Sequence, residues 1–438
     1  VTYGIPKYGI PDHAIPHYGI PGYMTSETAV PKFWPYKPET RCTERLIWKT
    51  AVLTSADGSE QRLAHRTIPR QVYTYRYPLV TARQCSEAEN LLHDRLPHPW
   101  YVPCWPEQSQ ATAAVANNDT AIACDTRYSD FVAGQAALVW ESADTYELVD
   151  IASVADSQLT LLTGTAVVNN YTARPYIVPL RTGYITSPVQ WIHLRHGKAV
   201  AQITYTVVDN ERTTGHSASM TYDSWDVLTT PGYWPGGQAA RSISRPVQIV
   251  DAGTGRLEVV TAADFNVTVT PHIFAAESPS QAWSFRQWLH SIYGRQKLFL
   301  VPTFQPDISI TSTIGPTDTT INVAHRGIKI YLDRNDLREH IAVRYNGTLY
   351  VRRVTAVSDV SSSVEQLTID AAFGVQIPTT ALCCWADKCR LASDTVQLDW
   401  IMPGKHICQV RLAKVSCPQV TFGWGVFGGG IFGGPRAA

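Results

Sequence analysis

Imidazole and ammonium groups are densest at His193-Leu194-Arg195-His196-Gly197-Lys198, a patch whose charge could hold a phosphate or a sugar. The same residues close one apolar alternation and open the next, so polar side chains are expected there simply as a hairpin tip. Thiols come next. Cys383, Cys384, Cys389, Cys408 and Cys417, out of nine cysteines, gather late in the chain and would suit zinc by type. Structural zinc sites draw ligands from close pairs such as Cys-x-x-Cys, and the sequence has none. Reduced thiols made in a cytoplasm are the expectation. Asp307, Asp394 and Asp399 do not share one recognisable element, and strand alternation turns Asp399 outward beside Leu398 and Trp400. Arg62, Arg66 and Arg70 fall at helical spacing, yet Pro69 and the β-type residues after it argue for strand or loop. No Gly-x-Ser-x-Gly, His-Glu-x-x-His, P-loop or Gly-x-Gly-x-x-Gly pattern sets a nucleophile beside a base or cradles a phosphate. No catalytic residue, cofactor or metal site is expected.

Aromatic rings offer a different chemistry, stacking on sugars. Trp34, Trp100, Trp105, Trp225, Trp234 and Trp283 are the candidates. Trp100, Trp105, Trp283 and Trp288 belong to a repeated apolar block, where core packing is the simpler use. Trp225, Tyr233 and Trp234 sit in a Thr/Ser/Gly/Pro-rich stretch and are freer to meet a partner, a protein neighbour before a glycan.

The elements that would position these groups occur twice. Thr81 with Gln84, and Ser278 with Gln281, have the form of a capping box, in which the hydroxyl caps an amide and the Gln reaches back. Pro279 suits the first helical turn, and Gly294 a helix stop. Phe285, Trp288, Leu289 and Ile292 follow at helical spacing, matched earlier by Ala88, Leu91 and Leu92. Each helix leads to a short apolar strand ending in Val-Pro, at 100–103 and 298–302. Asp-Thr-Ala-Ile at 119–122 recurs as Asp-Thr-Thr-Ile at 318–321, and the 197–203 run recurs at 404–410. Four blocks in one order point to tandem duplication.

The expected fold is therefore mainly β (α+β), with two similar β-rich repeats, each carrying one short helix and a small inserted β module. The first repeat spans 41–208 with its module at about 107–180; the second spans 241–416 with its module at about 307–380. In the closing strands, Ala201, Ile203, Tyr205 and Val207 share one face, as do Cys408, Val410 and Leu412. Residues 209–240 read as a linker. Residues 1–40 are expected to form an extended Pro-rich arm laid across a neighbouring subunit, with a disordered leader as the alternative, because a proline at every fifth position from 6 to 21 excludes helix and central strand. A Gly/aromatic tail occupies 417–438, expected either as a flexible end or as a segment ordered only against a partner. Tyr3, Ile5, Tyr8, Ile10, Ile15, Tyr18 and Ile20 in the arm, Trp225, Tyr233 and Trp234 in the linker, and Trp424, Phe427 and Phe432 in the tail are the candidate intersubunit contacts.

Formal net charge is zero, against the basic excess that general phosphate binding needs, so no specific nucleic-acid partner is expected. No apolar run approaches the roughly 18–20 residues of a membrane span, and no basic-then-apolar stretch opens the sequence.

Three blocks resemble a family of tailed-bacteriophage tail proteins: Trp48 to Arg70 with its Glu60-Gln61-Arg62 and Pro69-Arg70, the helix and strand at 283–304, and the closing run at 389–400. Together they are similar to the distal-tail or baseplate-ring (tail hub) proteins of siphophages and gene transfer agents, in their long, internally duplicated form. The resemblance covers roughly 44–415, and Leu96-Pro97-His98-Pro99-Trp100 departs from the Gly-Arg turn at Gly294-Arg295. It implies a non-enzymatic virion protein, assembled in the bacterial host cytoplasm. Such a protein forms a ring that joins the tail tube to hub and fibres. A hexamer is expected, with a trimer of duplicated chains as the alternative. A receptor- or glycan-binding tail-tip protein is the second reading, and a cell-wall hydrolase a distant third.

Overall fold

A computed structural model describes residues 32–415, apart from 55–59, 172, 211–219, 233–240, 245–246, 254, 256, 261–266 and 333–337. The chain is mainly β, with largely antiparallel pairing. No described helix is long and apolar enough to cross a membrane.

In the first half, Tyr73, Tyr75 and Tyr77 alternate with Thr74 and Arg76 along strand Glu60–Leu79, so the rings enter the core and the polar side chains face away. This strand pairs antiparallel with Lys198–Val207, which also pairs with Gln190–Arg195 and with one end of Tyr176–Ile185. Strand Trp100–Pro103 lies against Tyr176–Ile185, and Lys32–Phe33 runs parallel to it on the other side. Ala201, Ile203, Tyr205 and Val207 are buried on one face, as their alternation requires.

The second half is built from Val267–Ala276, paired antiparallel with Lys405–Lys414. Lys405–Lys414 pairs in turn with Thr395–Met402 and one end of Leu382–Leu391. Phe299–Pro302 lies against Leu382–Leu391, with Trp225–Val227 parallel to it. Cys408, Val410 and Leu412 are buried.

One helix follows each long strand, α1 (Ala82–Arg95) and α2 (Pro279–Ile292). The Thr81 hydroxyl accepts from Gln84 N at 3.2 Å, and the Gln84 side chain accepts from Val80 N at 2.9 Å. Ser278 and Gln281 do the same at 3.3 and 2.9 Å, the latter from Glu277 N. Both glutamines thus reach one residue beyond the cap. A third helix, α3 (Ile328–Leu332), was not expected: five residues are too short to show a period. Its entry is fixed by Glu365, whose carboxylate accepts from Arg326 N and Lys329 N.

Each half carries a small β module with its own core, around Ile122, Val139, Ile151 and Leu159 in the first and Ile321, Val343, Leu367 and Ile369 in the second. The segment 209–240, expected as a linker, holds strands Thr221–Tyr222 and Trp225–Val227, and Val227 and Leu228 are buried. Likewise the end of the expected arm enters the first core through Phe33, Trp34 and Tyr36. These runs are too short to show alternation; their hydrogen bonds come from partners distant in sequence.

Strand Cys42–Thr54 joins the halves. One edge pairs with Glu60–Leu79; the other, over Cys42–Ile47, pairs with Thr395–Trp400. Its Leu46 and Trp48 are buried in the second core, not the first. Asp394 clasps the junction: Thr50 N, Thr50 Oγ1 and Arg295 N donate to its carboxylate at 2.8, 2.9 and 3.0 Å, and Trp48 N to its carbonyl at 2.8 Å. Gly294, at φ +63°, closes the same corner, and a Cβ there would stand 2.8 Å from Trp48 Cβ and 2.7 Å from Asp394 Oδ1.

Gly294→Ala is therefore expected to cost roughly 2–4 kcal/mol by combining left-handed strain with overpacking. Gly253→Ala has similar φ but open space, and should cost only about 1–2 kcal/mol. Urea denaturation of the two variants checks the difference, and equal losses would show that the corner is not tightly packed.

Candidate functional site

Helix α2 buries Trp288, Leu289 and Ile292 in the second core, with Phe285 packed partly against it. Arg286, next to Phe285 and so a third of a turn around, points into the junction instead, 2% exposed. Its Nη2 is 3.0 Å from Glu44 Oε1 and 4.0 Å from Asp130 Oδ2, and its Nη1 contacts Glu107. Tyr73 Oη accepts from Arg286 at 3.3 Å and donates to Glu44 at 3.3 Å, while Trp400 Nε1 donates to Glu44 Oε2 at 3.1 Å. Glu107 also accepts from Asp130 N at 2.6 Å, and Arg181 pairs with Asp130 at 2.5 Å.

Five charged groups meet where the halves join, four buried and Asp130 partly exposed: Glu44 from the joining strand, Glu107 and Asp130 from the first module, Arg181 from the strand behind it, and Arg286 from the second half. Three carboxylates face two guanidiniums. Burial pushes the Glu44 carboxyl above its usual range, against the pull of Arg286 and the Trp400 hydrogen bond. The Arg286 guanidinium is disfavoured by burial, but Glu44 and Tyr73 outweigh this and hold it protonated.

A cleft of about 350 Å³ opens beside this network, lined among others by Glu107, Tyr128, Trp283, Arg286 and Trp400. Rings at its mouth could stack on a flat ligand, whereas Glu107 already gives its carboxylate to Arg286 and an amide. Two carboxylates line the cleft, Glu107, which contacts Arg286, and Asp125, which pairs with Arg127 at 2.8 Å, so both are engaged by guanidiniums where general acid–base chemistry would need one turned to the ligand.

Trp100, Trp105 and Trp288 are buried as expected, but Trp283 is only half-buried at the cleft, because the helix turns it away from the core toward the first module. Trp225 is half-buried against Val227, Leu300 and Ala386, so it packs inside the sheet instead of projecting from a loop. Tyr3, Ile5, Tyr8, Ile10, Ile15, Tyr18, Ile20, Tyr233, Trp234, Trp424, Phe427 and Phe432 lie outside the described residues. His193 and His196 are exposed at the hairpin tip. Asp399 faces outward, and Asp394 serves the junction. The eight described cysteines are free thiols: Cys383 lies in the second-module core, Cys384 beside Trp225, and Cys389 and Cys408 in the second-half core.

Among the described residues one trio of metal-ligand type comes together, His325, Asp359 and Glu365. Glu365 is spent on the α3 amides, and Lys329 Nζ stands 3.4 Å from Asp359, so the trio forms part of an ion-pair cluster.

Sequence reasoning missed Arg286, Glu44, Glu107, Asp130 and Arg181. Two signals were available. Glu44 shares strand parity with Leu46 and Trp48, which makes it a carboxylate on an apolar face; Arg286 borders an apolar helical stripe. The partners are too distant in sequence for any spacing rule to join them.

No family model and no curated protein matches this chain.

Arg286→Met would leave Glu44 and Glu107 buried without their cation, and a loss of about 3–5 kcal/mol is expected in urea denaturation. Two buried histidines are among the groups through which acid acts. Burial lowers His272 and His406 to about 4, the latter also through Arg286. Both values lie below the unfolded one, so the stability they contribute is full above about pH 6.5 and is lost as pH falls toward 4, about 3 kcal/mol each. His406 packs on Trp400 and Phe285 at 4.9 and 5.5 Å, and neither ring nitrogen has a hydrogen-bond partner among the described residues. His406→Met should leave stability at pH 8 nearly unchanged and shrink the drop in Tm between pH 7 and 5; an unchanged drop would exclude His406 as its source.

Proposed function

We propose that one β-and-helix module was copied in tandem and that the protein is a non-enzymatic structural component of a bacteriophage tail. It would form a ring at the distal tail or baseplate that links the tube to hub and fibres. Paired registers support the duplication. Leu79 opposite Ala199 corresponds to Ala276 opposite His406, Leu180 opposite Pro103 to Ala386 opposite Pro302, and Gly183 opposite Val207 to Cys389 opposite Lys414. The parallel pairs Phe33–Tyr101 and Val227–Leu300 also correspond, and the closing hairpins share an irregularity after His193 and Trp400.

The observation that carries the ring reading is the order of strands across the junction. From one edge the sheet runs Gln190–Arg195, Lys198–Val207, Glu60–Leu79, Cys42–Thr54, then Thr395–Met402, Lys405–Lys414, Val267–Ala276, Ser242–Ser244. The second four repeat the first four in the same order. The contact between copies is therefore head-to-tail, the kind that propagates and closes into rings when its rotation allows. The ring identity, the phage tail and the neighbours come from the resemblance; the junction supplies a physical means of assembly.

Native mass spectrometry and negative-stain microscopy of the purified full chain test this. A closed ring is expected, six chains by the resemblance, with three making the duplicated halves stand in for six. A chain that stays monomeric at high micromolar concentration would overturn the reading. Receptor or glycan binding is the second reading, favoured by Trp283 and Tyr128 at the cleft. Binding to host polysaccharide that disappears in Trp283→Ala would support it over a purely structural role.

A further inference from the structure

The junction inside the chain uses one edge from each half and leaves the two corresponding edges at the ends of the sheet. Among the described residues, no strand pairs with the outer edge of Gln190–Arg195 or of Ser242–Ser244. By register, Ser242 corresponds to Arg45 and Ile243 to Leu46, because Ser242 stands opposite Val269 as Arg45 stands opposite Val72. Leu46 is fully buried, whereas Ile243 is 58% exposed. On the opposing edge Ile192 and Leu194 are exposed, as are the residues that correspond to them in the second half, Asp399 and Ile401. Unguarded apolar edges of this kind are templates for strand addition.

We propose that Arg241–Ser244 of one chain pairs antiparallel with Pro188–Trp191 of the next, reproducing the internal junction between chains; this rests on the ring reading above. The internal register sets Arg45 opposite Gln397 and Leu46 opposite Val396. Carried across, it sets Ser242 opposite Gln190 and Ile243 opposite Val189. The neighbouring hairpin, Gln248–Asp251 with Leu257–Val260, is exposed along its length and carries Ile249, Val250, Leu257, Val259 and Val260. Its counterpart in the first half reaches over the end of α2, where Arg62 donates to the Arg295 carbonyl at 3.0 Å. The exposed hairpin would likewise cover the end of α1 at Leu96, itself 41% exposed.

Charge supplies an independent argument for a second copy as the occupant. Across the internal junction Arg286 of α2 pairs with Glu44. The α1 residue corresponding to Arg286 is Glu89, and the edge residue corresponding to Glu44 is Arg241; both are exposed. The pair is thus present at the free ends with its signs exchanged, and chain-to-chain docking in the internal register brings Glu89 to Arg241. Two substitutions away from either core would have to coincide to give that complement by accident.

Sedimentation of the full chain and two reversals test the proposal. Glu89→Arg and Arg241→Glu should each weaken self-association about tenfold or more by setting like charges together. The double variant should recover to within about threefold of the native chain, the coupling expected of a direct pair. As a second readout, Ser242→Cys with Gln190→Cys should give covalent chain-to-chain species on mild oxidation, since residues opposite each other in an antiparallel pair lie about 4.5–5.5 Å apart at Cα, within disulfide reach. Neither cysteine variant alone should do so. If the native chain forms rings but the reversals leave association unchanged and no such cross-link forms, this interface is wrong and the ring reading survives. If the native chain does not associate, both fail.

Discussion

Strand Cys42–Thr54 belongs by sequence to one half and by packing to the other. It hydrogen-bonds to Glu60–Leu79 on one edge and to Thr395–Trp400 on the other, and it delivers Leu46 and Trp48 into the second core. Burying those two side chains stabilises the junction by about 5–8 kcal/mol. That is comparable with the whole net stability of an ordinary domain. The second core is therefore incomplete without the first half, and the two units do not behave as beads on a linker. Everything at the junction, from the Asp394 clasp to the Gly294 corner, exists because this strand has to end up between two sheets.

The buried charges follow from the same constraint. A strand shared by two cores has to settle its register against two partners at once, and apolar contacts alone tolerate a slip of two residues. Glu44 does not tolerate it. Held by Arg286, Tyr73 and Trp400, it is satisfied in one register and would be stranded in any other. The network contributes little net energy after desolvation; what it adds is a large cost for mispairing. The carboxylates that line the cleft beside it, Glu107 and Asp125, are each paired with an arginine, Arg286 and Arg127.

How much of this could be read from residues alone depended on range. The capping boxes at Thr81 and Ser278, the alternation of Ala201 to Val207 and of Cys408 to Leu412, and the Val-Pro strands are local patterns, and they were legible. Strands of two or three residues, such as Lys32–Phe33 and Trp225–Val227, were not, because their partners lie far along the chain. The same distance hid the charge network. Glu44, Glu107, Asp130 and Arg286 look like ordinary surface charges until the strand order brings them together, although Glu44 on the parity of Leu46 and Trp48 was a usable hint. Trp283 misled for the opposite reason: it sits in an apolar block, but helix geometry turns it off the core face and toward the cleft.

The exchanged signs of the two junction pairs bear on a hazard that any such chain faces. If the edge Arg241–Ser244 from a neighbour could replace Cys42–Ile47 inside a chain, assembly would scramble into swapped and branched forms. The replacement would put Arg241 beside Arg286, and the displaced Glu44 beside Glu89 at the outer edge. Both encounters set like charges together, the first of them in a buried site where repulsion is least screened. Correct order, internal junction then external junction, is the arrangement in which every such pair is opposite in sign. Two similar edges can then coexist in one chain without competing, since each is complementary to one partner and repelled by the other.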